Sequence, residues 1–331
     1  MAKSSFERVV GNVPEEEKKE ILEKMRERFD DQIFNELAGK EREKTPEESE
    51  IIALANEATN ALRREYGLAD FDVPQDNIHI IKTNEWPEYA EDHTAFYSSQ
   101  MQAIAMQEQF SRSILLTHVI HELVHFKSYN AMQVTLTQDP KLRELRPYRG
   151  GLEIHKRDSD SVYFNNLNEA ITEDITKELA INILQEHPLF KEELEQTKEL
   201  AARYSDISDE NGNEFFTDDL YRATLLDKTT WKDAIARVFN KERSRKVEGK
   251  EFTYQKQREI LSTLALKIFE HNKEQFNDTD EVMRMFAKSM LTGNILSLGK
   301  LIDTTFGKGT FRKIGELDAD IEKQRKFVDS L

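Results

Sequence analysis

The chain has 331 residues, with 63 acidic against 47 basic side chains, a net charge of −16 and no cysteine. That length allows two or three compact units. The charge argues against non-specific nucleic-acid binding, and the missing cysteines exclude disulfides and suit a reducing cytoplasm. No run approaches 18 apolar residues, so no membrane span is expected, and Met1 to Lys19 lacks the apolar core of a signal peptide.

Three regions follow one another. Residues 1–75 read as a helical region, with helices over Glu15 to Leu37 and Glu47 to Tyr66 around a charged connector that contains Pro46. The run Glu16-Glu17-Lys18-Lys19 reads as a solvated face. Residues 76–200 hold the strand candidates Asn77 to Ile81 and Ala95 to Met106. The second alternates loosely, and its polar centre, Ser98 to Gln102, suits an exposed sheet edge. Ser113 to Met132 has no glycine or proline. Leu116, Val119, Ile120, Leu123, Val124 and Phe126 give it a broad apolar surface, so it reads as a buried helix that Ser111 or Ser113 could cap. Asn168 to Gln185 has helical character as well. Residues 201–331 read as a helical subdomain, with helices over Lys256 to Glu270, Glu281 to Leu291 and Ile295 to Ile302 and a break at Gly293-Asn294. Gly307-Lys308-Gly309-Thr310 lacks the spacing of a phosphate-binding loop. The fold class expected is α+β, predominantly helical, with a small mixed or antiparallel sheet.

Within the buried helix stands His121-Glu122-Leu123-Val124-His125. Residues i and i+4 lie one above the other on a helix face, so both imidazoles can bind one metal ion, and Glu122 is placed to reach a water on it. A catalytic zinc site usually has three protein ligands and one open position. A third histidine six residues on, with a glycine between, would mark a metzincin, but those positions are Ala131 and Ser128. Peptide deformylase needs a cysteine ligand, and this chain has none. A downstream carboxylate remains. Glu169 and Glu173 are also i and i+4, so one can ligate the metal while the other holds the second nitrogen of a ligating histidine. They also fit an acidic first helical turn.

Over roughly Phe96 to Leu184 the chain resembles the gluzincin metallopeptidases, because Asn168-Glu169-Ala170-Ile171-Thr172-Glu173 matches their Asn-Glu-x-x-x-Asp/Glu pattern. The resemblance implies a zincin-like core, zinc as cofactor, Glu169 as third ligand, Glu173 as the carboxylate behind His121, and Glu122 as general base and acid in peptide hydrolysis. It also implies that the strand before the zinc helix is a sheet edge to which an extended peptide adds. Gluzincins often use a Tyr or His to stabilise the oxyanion. Tyr163 and His155 are the candidates here, with Tyr148 and Arg149 behind them. His118, one turn before His121, is a competing ligand or a satisfied core residue. The spacing departs from the thermolysin-like members: His125 and Glu169 are 44 residues apart, so Gln133 to Asn166 must fold aside or join the cleft. The partner expected is a peptide or protein substrate. The competing reading is a catalytically silent scaffold on the same fold.

Overall fold

In the computed structural model, residues 6–32, 36–109, 111–136, 143–157, 161–193, 195 and 254–331 are described. The front of the expected helical subdomain, 201–253, lies outside them. The chain is a mixed α and β structure, and among the described residues no helix is long and apolar enough to cross a membrane.

Helix α1 spans Glu15–Asp30 and stops short of the expected Leu37, because Asp31 turns extended and its N–H closes back on Glu27 O. Helix α2 spans Pro46–Glu65. Its start is fixed by a capping box: Thr45 Oγ1 accepts the Glu48 N–H, and Glu48 accepts the Thr45 N–H at 2.8 Å. Proline at the first helical position costs nothing there, since that N–H has no helical partner.

Helix α3, Arg112–Lys127, carries the histidine pentad. Ser111 Oγ accepts the Ile114 N–H, as the sequence suggests. A second cap comes from far along the chain: the Glu193 carboxylate accepts the Arg112 and Ser113 N–H groups at 2.9 and 3.0 Å, a charge-favourable place at a helix start. The helix ends at Lys127, not Met132. Ser128 is extended, and Asn130 Nδ2 donates to the carbonyls of His125, Phe126 and Ser128. Residues 130–132 belong to a strand instead. Leu116, Val119, Ile120, Leu123 and Phe126 are all fully buried, each contributing about 1.5–3 kcal/mol relative to exposure.

Strands β2 (Ile78–Ile81), β3 (Ala95–Ser98) and β4 (Ala103–Gln107) form a three-stranded sheet in the order β2-β4-β3. The expected single strand over Ala95 to Met106 is therefore a hairpin. Ser98 to Gln102 makes its turn, with Gln102 at φ 54° and Ser98 Oγ accepting the Met101 N–H. The strand directly before α3 is the central one, β4, and the sheet edges are β2 and β3.

The expected insertion supplies most of a second sheet. Strands β1 (Phe6–Val10), β5 (Asn130–Leu136), β6 (Arg143–Gly150), β7 (Glu153–His155) and β8 (Val162–Tyr163) lie in chain order, with β1 parallel to β5 and the other pairs antiparallel.

Helix α4, Asn165–Glu186, carries the carboxylate pair and packs against α3. Its first two N–H groups are taken by Asp318, at 3.0 Å each. Helices α5 (Gln255–His271), α6 (Thr279–Thr292), α7 (Ile295–Phe306), α8 (Thr310–Glu316) and α9 (Ile321–Asp329) complete the chain. The break at Gly293 is a left-handed residue at φ 78°, and the Tyr129 ring would stand 2.5 Å from any Cβ there, so only glycine fits. One continuous core joins Ile51 of α2, Leu123 of α3, Ile171 of α4, Leu264 of α5, Phe286 of α6 and Ile302 of α7.

Candidate metal centre

Helix α3 presents His121 and His125 toward α4, and α4 presents Glu169 and Glu173 back. His121 Nε2 and His125 Nε2 lie 3.1 Å apart. Glu169 Oε2 stands 3.5 Å from the first and 3.4 Å from the second. Zinc ligands at about 2.0–2.1 Å in tetrahedral array sit about 3.3 Å from one another. Three donors of the types zinc takes therefore already hold the spacing it requires. Among the described residues this is the one His/Cys/Asp/Glu group with such spacing.

The surroundings set the protonation of the donors. Glu173 is fully buried, and its Oε2 lies 3.0 Å from His121 Nδ1. A carboxylate there requires Nδ1–H, which leaves the Nε2 lone pair facing the other donors. Behind His125, the Asn168 amide nitrogen is 3.5 Å from Nδ1, and the Asn168 oxygen accepts the Leu152 N–H at 2.8 Å. Burial would push the Glu169 carboxyl up, but the imidazoles of His125 and His121 outweigh it and hold the group well below the usual carboxylate range. Glu122, at 7 % exposure, goes the other way. Burial raises its pKa, opposed by both imidazoles, while the Tyr97 backbone N–H donates to it. A carboxylate tuned upward is a better proton acceptor near neutral pH.

His121, Glu122, His125, Asn168 and Glu169 line a cleft of about 330 Å³. Ala95, Phe96 and Tyr97 border it, residues whose side chains alternate across β3, so the strand presents its edge to the cleft. The insertion joins the cleft, through Pro147 and Arg149 of β6 and Glu153 and His155 of β7.

Of the residues expected from sequence, His121, Glu122, His125 and Glu169 come together, with Glu173 behind them. His155 lines the cleft, its Nε2 2.5 Å from Glu153 Oε1. Tyr163 is not among the cleft-lining residues; its ring packs beneath the Lys156 ammonium at 4.6 Å and against Phe164. Tyr148 and His118 do not line the cleft either. Arg149 does, but its guanidinium is committed to backbone carbonyls.

One residue sequence reasoning missed is Tyr254. It lines the cleft, and its ring lies nearly parallel to that of His121, at 10° and 6.1 Å between centroids. Its backbone is left-handed at φ 76°, a strained state for a tyrosine, at the start of α5. One turn on, Arg258 Nε donates to Asp174 at 2.6 Å, tying α5 to α4 beside Glu173. No sequence signal marks Tyr254, because 129 residues separate it from His125.

No family model, curated protein or solved structure matches the chain.

Proposed function

We propose that this chain is a zinc-dependent peptidase of gluzincin type on a zincin-like core, hydrolysing peptide bonds in the cleft between the β3 edge and the β6–β7 wall. The observation that carries the reading is the mutual spacing of His121 Nε2, His125 Nε2 and Glu169 Oε2, with a buried Glu122 in the same cleft. Those three side chains would hold the ion, and Glu173 orients His121 for it.

Zinc, when bound, supplies a Lewis acid that brings the pKa of water toward neutrality and polarises the scissile carbonyl. Glu122 takes a proton from the attacking water on a carboxylate oxygen and delivers it to the leaving amine. The Tyr97 N–H holds that carboxylate in place. The β3 edge binds the substrate main chain as an added strand. The Tyr254 phenol, beside His121 in the cleft, serves as the donor to the carbonyl oxygen as its charge develops.

The test is metal content beside peptide cleavage. Wild type should carry one zinc per chain and cleave a mixed peptide pool until a chelator is added. Glu122→Gln should keep the zinc and lose cleavage, and Glu169→Ala should lose both. Zinc without cleavage in wild type would favour the silent scaffold, and neither would remove the metal reading altogether.

A further inference from the structure

The charges lining the cleft select a class of substrate, an inference that rests on the peptidase reading. Among the described residues, three carboxylates line it: Glu122, Glu169 and Glu153. The first two are committed to the metal and the water. The single guanidinium among the described lining residues, Arg149, donates from Nε to Gly151 O at 2.8 Å, from Nη1 to Gly293 O at 2.6 Å and from Nη2 to Ser289 O at 3.2 Å. At 7 % exposure its nitrogens are spent on the wall itself. No lysine is among the described residues that line the cleft. Among the described lining residues, Glu153, paired with His155 on one oxygen, is thus the carboxylate left to meet a substrate.

Its setting suits that task. Strand β7 is hydrogen-bonded on both sides, to β6 and to β8, so the Glu153 backbone is fixed. His155 Nε2 holds Oε1 at 2.5 Å and sets the direction of the carboxylate. A carboxylate has about four acceptor sites, so Oε2 keeps its capacity for a ligand. The field of Glu153 reaches the first turn of α4, where it adds to burial in raising the carboxyl of Asp318, and Glu169 lies one turn further along that helix. Glu153 lines the same cleft as His121, His125 and Glu169, so a group that meets it shares that cleft with the bond at the metal centre.

We infer that Glu153 is the specificity-determining residue of this cleft, and that the preferred substrates are peptides with an ammonium or guanidinium group next to the scissile bond. That cation is a Lys or Arg side chain or a free N-terminus.

The experiment uses the full-length, zinc-loaded protein and alanine-based peptides in which one position at a time is Lys or its uncharged isostere norleucine. Each peptide is made with a free and with an acetylated N-terminus, which separates the two sources of the cation. The readout is the ratio of kcat/KM for charged over uncharged peptide. Wild type should favour the cation about 10–100-fold at one position, the range of a charge-assisted hydrogen bond. Glu153→Gln should bring that ratio close to one, and Glu153→Lys should turn it toward a peptide with Glu at the same position. A wild-type ratio near one, or a preference that survives in Glu153→Gln, overturns the inference, even if overall turnover falls. Binding of the same peptides by calorimetry to Glu122→Gln and to Glu122→Gln/Glu153→Gln reads the same preference without turnover. If wild type cleaves nothing, the peptidase reading fails, and these binding ratios still decide the role of Glu153.

Discussion

At the scale of single residues, the centre is a set of mutual constraints. Glu173 directs the lone pair of His121, the two imidazoles keep Glu169 ionised, and the Tyr97 N–H aims Glu122. Tyr254 lies with its ring beside that of His121, and its proposed role rests on its hydroxyl. Tyr254→Phe keeps the ring beside His121 and removes only that hydroxyl, so zinc content and KM should hold while kcat falls about 10²–10³-fold, the usual cost of one oxyanion donor. Steady-state kinetics beside metal analysis reads this, and an equal kcat would return the tyrosine to a packing role. The ligands were legible because i and i+4 spacing is a local code that needs only a helix. Glu153 and Tyr254 were not, because strand pairing and helix docking bring them to the cleft from distant parts of the chain.

At the scale of elements, helices read better than strands for the same reason. Helix α2 announces itself with Thr45, Pro46 and Glu48, and α3 and α4 with apolar faces and no interior glycine or proline. The end of α3 was misread because its stop is made by the side chain of Asn130 and not by a glycine. Strand β6, Arg-Glu-Leu-Arg-Pro-Tyr-Arg-Gly, carries no strand pattern at all, and β1 pairs with a strand about 120 residues away. The capping box of α2, which braces α3 from behind, gives a pH test. Burial pushes the Glu48 carboxyl up, but Arg42, with Nη1 and Nη2 both on it, and the Thr45 N–H outweigh this and leave it below its ordinary 4.5. A depressed pKa gives stability that is present above 4.5 and lost as pH falls through the folded value. Glu48→Gln should therefore cost about 1–3 kcal/mol at pH 7, and urea unfolding should show the gap to wild type closing below pH 4.5. Curves that stay parallel down to pH 3.5 would count against this account.

At the scale of the whole molecule, one core draws on all three regions read from sequence, so α2 and the C-terminal helices brace the same pair of ligand helices. The ligands stand on both of those helices, with 44 residues between His125 and Glu169. An ion clasped there ties the chain into a ring that contains β5 to β8, as a covalent staple would. Rings of this size strip about 4 kcal/mol of freedom from the unfolded chain. Zinc should accordingly raise the melting temperature, read by a thermal unfolding curve with and without the metal, and Glu169→Ala should show no such rise. The ion that serves the reaction would then also hold the cleft wall bearing Glu153 against the helices that carry it, so depletion would loosen selectivity and scaffold together.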